Sequence, residues 1–190
     1  MRVALLAKGQ TLAKFPGREH FDQTWGLNQQ AQTRDDLDLC FVMDDLMLRL
    51  PAYSGPEFPE WLKTYPGRIM TSTAYPEWPT AEEFPIYACA HKFGLPLGIS
   101  MYSSPDYMIA YAIMKGAKEI HLFGVDVLEL KAQEMRAATA GWIFAAEALE
   151  IKVVVPQGSF FYLYTNVPVV MENGIYGYAQ RPRIERLVRR

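Results

Sequence analysis

At 190 residues, half of them hydrophobic and 21% charged, the chain is long enough for one α/β domain with a sizeable core, and its composition excludes disorder. No apolar run approaches the roughly 20 residues of a membrane-spanning helix, and the opening MRVALLAKGQ reaches Gly9 too soon for a secretory signal, so a cytoplasmic, non-membrane protein is expected. A net charge of −2 argues against nucleic-acid binding through bulk electrostatics; the basic run 181–190 reads as a solvated helix or tail. Cys40 and Cys89 lack metal-type spacing and read as buried reduced thiols, with a disulfide as the alternative.

Arg2 to Ala7 is a short β-run that enters the turn Lys8, Gly9, Gln10, Thr11, Leu12. Such a turn after a strand can aim backbone N–H groups at an anion, and Thr11 can add a hydroxyl; a plain β-turn is the alternative. It contains neither the G-x-G-x-x-G of dinucleotide folds nor the G-K-[ST] of a P-loop. Thr24 to Asn28 is the next strand, ending in the amides Asn28, Gln29 and Gln30, which suit a nucleobase or sugar edge as well as they suit solvent. Asp38 to Met43 is a third strand, and the Asp44 and Asp45 that follow it are expected to cap a helix from Leu46 rather than hold a cation.

Residues 51–66 and 73–84 are dense in proline and aromatics, including Tyr53, Phe58, Trp61, Tyr75 and Trp78. They read as ordered, non-repetitive excursions that cover a sheet edge, line a pocket, close as a lid or form an interface. Arg68 to Ser72 resumes a strand between them, and Phe84 to Cys89 is expected to pair weakly with the sheet.

The central unit is Ser103 to Asp126, SSPDYMIAYAIMKGAKEIHLFGVD. A serine pair, Pro105 and then Asp106 give a helix start with a cap, a proline in the first turn and a carboxylate near the positive helix end. Tyr107 to Met114 is apolar on every face, which predicts a fully buried helix, and Gly116 stops it. Lys118 to Asp126 then reads as a buried parallel strand that delivers Asp126 at its C-terminal edge. Ala132 to Glu150 is an amphipathic helix with a core stripe through Met135, Thr139, Trp142, Ile143, Ala146 and Leu149, and Lys152 to Val155 is a further strand. Phe160–Tyr164, Pro168–Met171 and Ile175–Tyr178 read as short strands or extended loops.

The order of elements predicts an α/β protein with a mostly parallel, doubly wound sheet and helices on both faces. In such sheets ligands gather at the C-terminal strand edge, where the sequence places Gly9, Gln10, Thr11, Asn28, Gln29, Ser103, Ser104 and Asp126.

Several of these pieces together resemble the sialyltransferases of glycosyltransferase family 42, and the related domain found in motility-accessory and pterin-pyrophosphokinase-like proteins. Lys8-Gly9-Gln10-Thr11-Leu12 is similar to that family's glycine-x-serine-leucine turn, and Leu27-Asn28-Gln29, Ser103-Ser104-Pro105-Asp106-Tyr107-Met108, Lys118-Glu119-Ile120 and Gly124-Val125-Asp126 resemble its further elements. Short phage-encoded proteins have the same look, including an ending like Tyr176-Gly177-Tyr178. The resemblance implies a Rossmann-like fold and a nucleotide or nucleotide-sugar ligand held by Gly9, Thr11, Asn28, Ser103 and Ser104, to which their places at strand ends add Gln10 and Gln29. The sialyltransferases carry an aromatic residue and a tyrosine where this chain has Val127 and Leu128, and a later histidine base. This chain has only His20, His91 and His121, all before Asp126, and His121 reads as a core histidine with a satisfied ring.

Three functions fit these features. One is a transferase using a nucleotide-activated donor, with Asp126, or less favourably Asp44, as base toward an acceptor hydroxyl. The second is a nucleotide- or nucleoside-binding protein without turnover, such as a viral protein that captures or senses a host metabolite. The third is an interaction protein whose contact is made by the aromatic segments around Trp61 and Trp78. A small-molecule nucleotide is the expected partner, no metal is assigned, and self-association is left open.

Overall fold

The computed structural model describes residues 1–47, 50–93, 101–128, 133–162 and 165. The expected strands or loops at Pro168–Met171 and Ile175–Tyr178, and the basic 181–190, lie outside them.

Seven parallel strands form one sheet in the order β5-β4-β3-β2-β1-β6-β7: β1 (Arg2–Leu6), β2 (Gln23–Leu27), β3 (Leu39–Val42), β4 (Ile69–Thr71), β5 (Ala81–Glu83), β6 (Glu119–Phe123) and β7 (Lys152–Val154). The chain winds outward from β1 to β5, then returns to the other side of β1 to lay down β6 and β7. The direction of winding therefore reverses between β1 and β6, and the crevice outside their C-terminal ends is where an open parallel sheet accepts a ligand. Register across that seam is fixed by the pairs Val3 with Ile120 and Leu5 with Leu122.

Strand side chains alternate between two apolar layers, because successive Cβ atoms point to opposite faces. Val3, Leu5, Trp25, Phe41, Ile120 and Leu122 enter one layer, which α4 (Ile86–Phe93), α5 (Ser104–Met114) and α6 (Gln133–Ala148) cover. Cys40, Val42 and Ile69 face the other way into a layer closed by α1 (Gln30–Thr33), α2 (Leu50–Ser54) and α3 (Glu57–Leu62). Helices thus lie on both faces, and the sheet is parallel throughout its described strands.

Helix α5 is the central buried helix the sequence predicts: Met108, Ile109, Ala110 and Ala112 are all inaccessible to solvent. Burying each of its larger apolar side chains stabilises the fold by about 1.5–3 kcal/mol. Gly116 ends the helix with φ +74°. In α6, Thr139, Trp142, Ile143 and Ala146 face the core as expected, and Trp142 meets Phe93 edge to face at 5.1 Å. Met135 and Leu149, at the ends of the same stripe, are exposed.

Three local expectations are corrected. Phe84 to Cys89 is not a strand: Pro85 leads into α4, and the sheet edge is instead Ala81–Glu83, whose Glu82 forms a two-point ion pair with Arg68 at 2.7 and 3.0 Å. Residues 51–66 are not a non-repetitive excursion but carry α2 and α3, which seat Phe58 and Leu62 in the core. Asp45 does not cap a helix at Leu46. It caps a turn through Met47 N (2.9 Å), and α2 starts at Leu50.

Cys40 and Cys89 are both free and buried; burial pushes the Cys40 thiol up to about 12, which keeps it protonated and inert. His121 is half-buried between Phe21 and Phe123 (ring centroids at 4.9 and 6.1 Å). Its Nε2 lies 3.0 Å from Glu119 Oε1 but outside hydrogen-bond geometry, so the ring is packed and paired electrostatically rather than satisfied by a hydrogen bond. No helix among the described residues is long and apolar enough to cross a membrane.

Candidate functional site

A cavity of about 760 Å³ opens at the β1/β6 crevice. Its floor is the turn after β1, with Lys8, Gly9 and Gln10; one wall is the segment after β6, from Gly124 to Leu128; the opposite wall is the start of α5, with Ser103, Ser104 and Pro105. Leu27, Asp44, Tyr102 and Met135 complete the rim. The volume lies within the range of small-molecule sites.

The turn is fastened to the end of β6 by contacts that tolerate no side chain at two positions. Gly9 N–H donates to Gly124 O at 2.8 Å. A Cβ on Gly9 would stand 2.6 Å from that same oxygen and still nearer to Asp126 Oδ2. Gly124 adopts φ +73°, and a Cβ there would meet Ala7 O at 2.6 Å. Thr11 completes the joint: its N–H donates to Asp126 Oδ2 at 2.9 Å, its hydroxyl donates to Asp126 Oδ1, and its Oγ1 accepts from Gly124 N at 2.9 Å. Thr11 and Asp126 are both buried, so this network lies beneath the cavity floor, and Asp126 reaches the cavity as part of its wall.

The α5 wall is organised by Asp106, which is fully buried. Its Oδ2 accepts from Tyr102 N and Ser103 N at 2.8 Å each, and its Oδ1 accepts from Thr139 Oγ1 at 2.6 Å, which ties the start of α5 to α6. Burial pushes the Asp106 carboxyl up to about 6, against the bonds from Thr139 and the two N–H groups that hold it down. The reciprocal half of the capping box, from the Asp106 N–H toward Ser103 Oγ, is loose enough that Ser103 Oγ has no in-line partner.

The sequence-predicted residues therefore divide. Gly9, Gln10, Ser103, Ser104 and Asp126 line the cavity. Thr11 braces it from below. Asn28 and Gln29 are not among its described lining residues: Asn28 turns the chain at φ +49°, and Gln29 Oε1 accepts from Lys8 Nζ. Gln30 is bonded through Nε2 to Ala7 O at 3.2 Å, so two of the three amides after β2 support the end of β1.

Lys8 is not among the residues the sequence assigns to a ligand, and Asp44 is there only the less favoured candidate base; both line the cavity. Partial burial lowers the Lys8 pKa, an effect opposed by Asp44 and Cys40. No group of three or more His, Cys, Asp or Glu side chains suited to a metal occurs among the described residues.

The same fold is found in solved structures of a sialyltransferase. CstII from Campylobacter jejuni in complex with the substrate analogue CMP-3FNeuAc is 17% identical, with a TM-score of 0.54 over 86% of this chain and 84% of that chain. CST-II in complex with a trisaccharide acceptor and CMP is 15% identical, with a TM-score of 0.56 over 86% and 84%. Monomeric CstII is 15% identical, with a TM-score of 0.57 over 87% and 84%. The resemblance to family 42 thus holds at the level of the Rossmann-like α/β fold. No protein-family model and no curated protein matches the sequence.

Proposed function

We propose that the chain is a glycosyltransferase-like protein that binds a nucleotide in the β1/β6 cavity. The observation that carries this reading is the meeting of the Gly9 turn and the α5 start across a cavity at the point where the sheet reverses its winding. The α5 N-terminus favours negative charge, which suits a phosphate, while Gly9 and Thr11 spend their N–H groups on Gly124 O and Asp126 and serve to shape the floor. The fold is shared with an enzyme solved with CMP and a CMP-linked analogue, which points to a nucleotide-activated sugar as donor.

In the transfer reaction the bond between the anomeric carbon and the phosphate oxygen breaks and the nucleotide leaves with the electron pair. The acceptor hydroxyl oxygen forms the new bond, and its proton passes to a base. Asp126 is the candidate base in this reading. A second reading, binding without turnover, is favoured by one feature: both Asp126 oxygens already accept hydrogen bonds from Thr11, which leaves the carboxylate better suited to holding the turn than to taking a proton.

The test is thermal melting with cytidine, CMP and nucleoside diphosphates, followed by incubation with a CMP-linked sugar and assay for released CMP. Release that is lost in Asp126→Asn supports transfer. A melting shift with no release supports the binder, and no shift with any nucleotide overturns both.

A further inference from the structure

We infer that Lys8 is the residue by which the cavity selects a phosphate-bearing ligand over its uncharged counterpart, and that Gln29, from outside the cavity, positions it. This rests on the nucleotide reading above and adds to it which end of the ligand is recognised and by what.

Among the described residues that line the cavity, Lys8 is the only cation. It sits at the last position before the Gly9 turn, so its ammonium belongs to the floor on which an anion near the turn would rest. The carboxylates of the lining do not hold it by a short ion pair in the way surface lysines are commonly held. Its Nζ donates to the neutral side-chain oxygen of Gln29, while Asp44 acts on it through the field. A neutral acceptor fixes the direction of the ammonium without cancelling its charge. Asp126, the other acid in the wall, has both oxygens occupied by Thr11 donors, which spreads its charge into the network beneath the floor.

Desolvation supports the same reading: Lys8 is exposed overall, yet partial desolvation holds its ammonium below its ordinary pKa, so an arriving anion relieves a penalty the cation already bears. The α5 start offers its dipole to an anion, but partial charges alone discriminate weakly between a nucleotide and a nucleoside. A full charge at 8 supplies that discrimination through a charge-assisted hydrogen bond. The amide after β2 then acquires a role: Gln29 keeps the long, flexible lysine from folding out toward solvent.

The experiment is isothermal titration of the full chain with CMP and with cytidine, at low and at high salt, for the native protein and for Lys8→Met, Lys8→Arg and Gln29→Ala. The native protein is expected to prefer CMP by about tenfold or more, the scale of one charge-assisted contact, and to lose part of that preference as salt rises. Lys8→Met should bring the two ligands to near equality while leaving cytidine binding unchanged. Lys8→Arg should keep the preference, and Gln29→Ala should reduce it without affecting cytidine. Unchanged cytidine binding also shows that the Lys8→Met protein is folded. A CMP preference that survives in Lys8→Met overturns the inference and leaves the nucleotide reading standing. Binding of neither ligand to the native protein removes both.

Discussion

Thr11 and Asp126 lock the turn after β1 to the end of β6: the Thr11 N–H and hydroxyl each donate to one oxygen of the Asp126 carboxylate, and both residues are buried. Thr11→Val keeps the shape but leaves one carboxylate oxygen without its donor and Gly124 N–H without its acceptor. A buried group deprived of its partner costs about 1–3 kcal/mol, and more where it is charged. Urea denaturation of Thr11→Val should therefore show a loss of about 2–3 kcal/mol. Thr11→Ser, which keeps the hydroxyl, should lose less. Equal urea midpoints for native protein and Thr11→Val would show that the joint contributes nothing.

Gly9→Ala tests the same joint from the other side. The added methyl would overlap the Gly124 carbonyl at 2.6 Å, and backbone cannot yield as a flexible side chain can. Forcing one methyl into a fully packed site costs about 1–3 kcal/mol. The melting temperature should fall, and any nucleotide-induced shift should shrink with it, because the floor of the cavity is displaced. Gly141, where an added Cβ meets nothing within 4 Å, supplies the control: Gly141→Ala, inside α6, should raise the melting temperature.

Tyr75 and Trp78, from the aromatic segment at 73–84, belong to the core of the sheet's second face rather than to a lid, and Phe84 packs in the opposite layer. Trp78 is 4% exposed, donates from Nε1 to Pro59 O at 2.8 Å, and lies under the Lys63 ammonium at 5.1 Å from its ring centroid. Trp78→Ala should cost about 3–5 kcal/mol through the cavity it leaves, as read by chemical denaturation. The Kd for CMP should not change, since Trp78 packs with Phe58, Leu62 and Tyr75 under β3 and β4 rather than at the β1/β6 crevice. A mutant that kept its stability but lost CMP affinity would return this segment to the ligand site.

What the sequence made readable follows from how strongly each stretch is dictated by burial and capping. β1 and α5 are largely apolar, β6 carries Ile120, Leu122 and Phe123, and each is followed by a glycine with positive φ or close backbone contact, so their type and limits are plain. β5 is Ala81-Glu82-Glu83, an edge strand; charge at an edge discourages pairing with other chains and erases the apolar alternation by which strands are recognised. The site was legible where it depends on glycine and on helix caps. It was not legible at Lys8, since a lysine just after a strand looks like any solvated residue until the fold folds it over a cavity. Nor could the roles of Gln29 and Gln30 be read, because their partners Lys8 and Ala7 lie 21 and 23 residues away, just past the end of the neighbouring strand, a proximity only the parallel pairing of β1 and β2 creates. The Lys118-Glu119 element of the family resemblance lies at the opposite end of β6 from the cavity. There Glu119 gathers Arg2 and Lys152 at 2.9 Å each, a structural role remote from the ligand.

The Asp106 carboxyl gives a pH dependence whose sign is opposite to that of ordinary surface acids. Burial holds its folded pKa at about 6 against an ordinary 3.8, so the folded state binds this proton more tightly than the unfolded chain does. As pH falls from above 6 to below 4, Asp106 adds stability; above 6 its ionised form costs the fold about 3 kcal/mol relative to the protonated one. Glu119 works the other way: burial acts upward on it, but the bonds from Lys152 and Arg2 and the electrostatic pairing with His121 outweigh that and bring it down to about 2, so its contribution is lost as pH falls through the acid range toward 2. The two overlap in a simple pH titration of stability, and a comparison with Asp106→Asn separates them. The asparagine keeps one oxygen for the Tyr102 and Ser103 N–H groups and can donate to Thr139 Oγ1, without a charge to bury. Urea denaturation at intervals from pH 4 to pH 8 should show the variant gaining on the native protein as pH rises through 6, with the difference between the two changing by about 3 kcal/mol across that window. Parallel profiles would mean that Asp106 is ionised in the fold at the same pH as in the unfolded chain, and that the charge at the start of α5 is borne without cost.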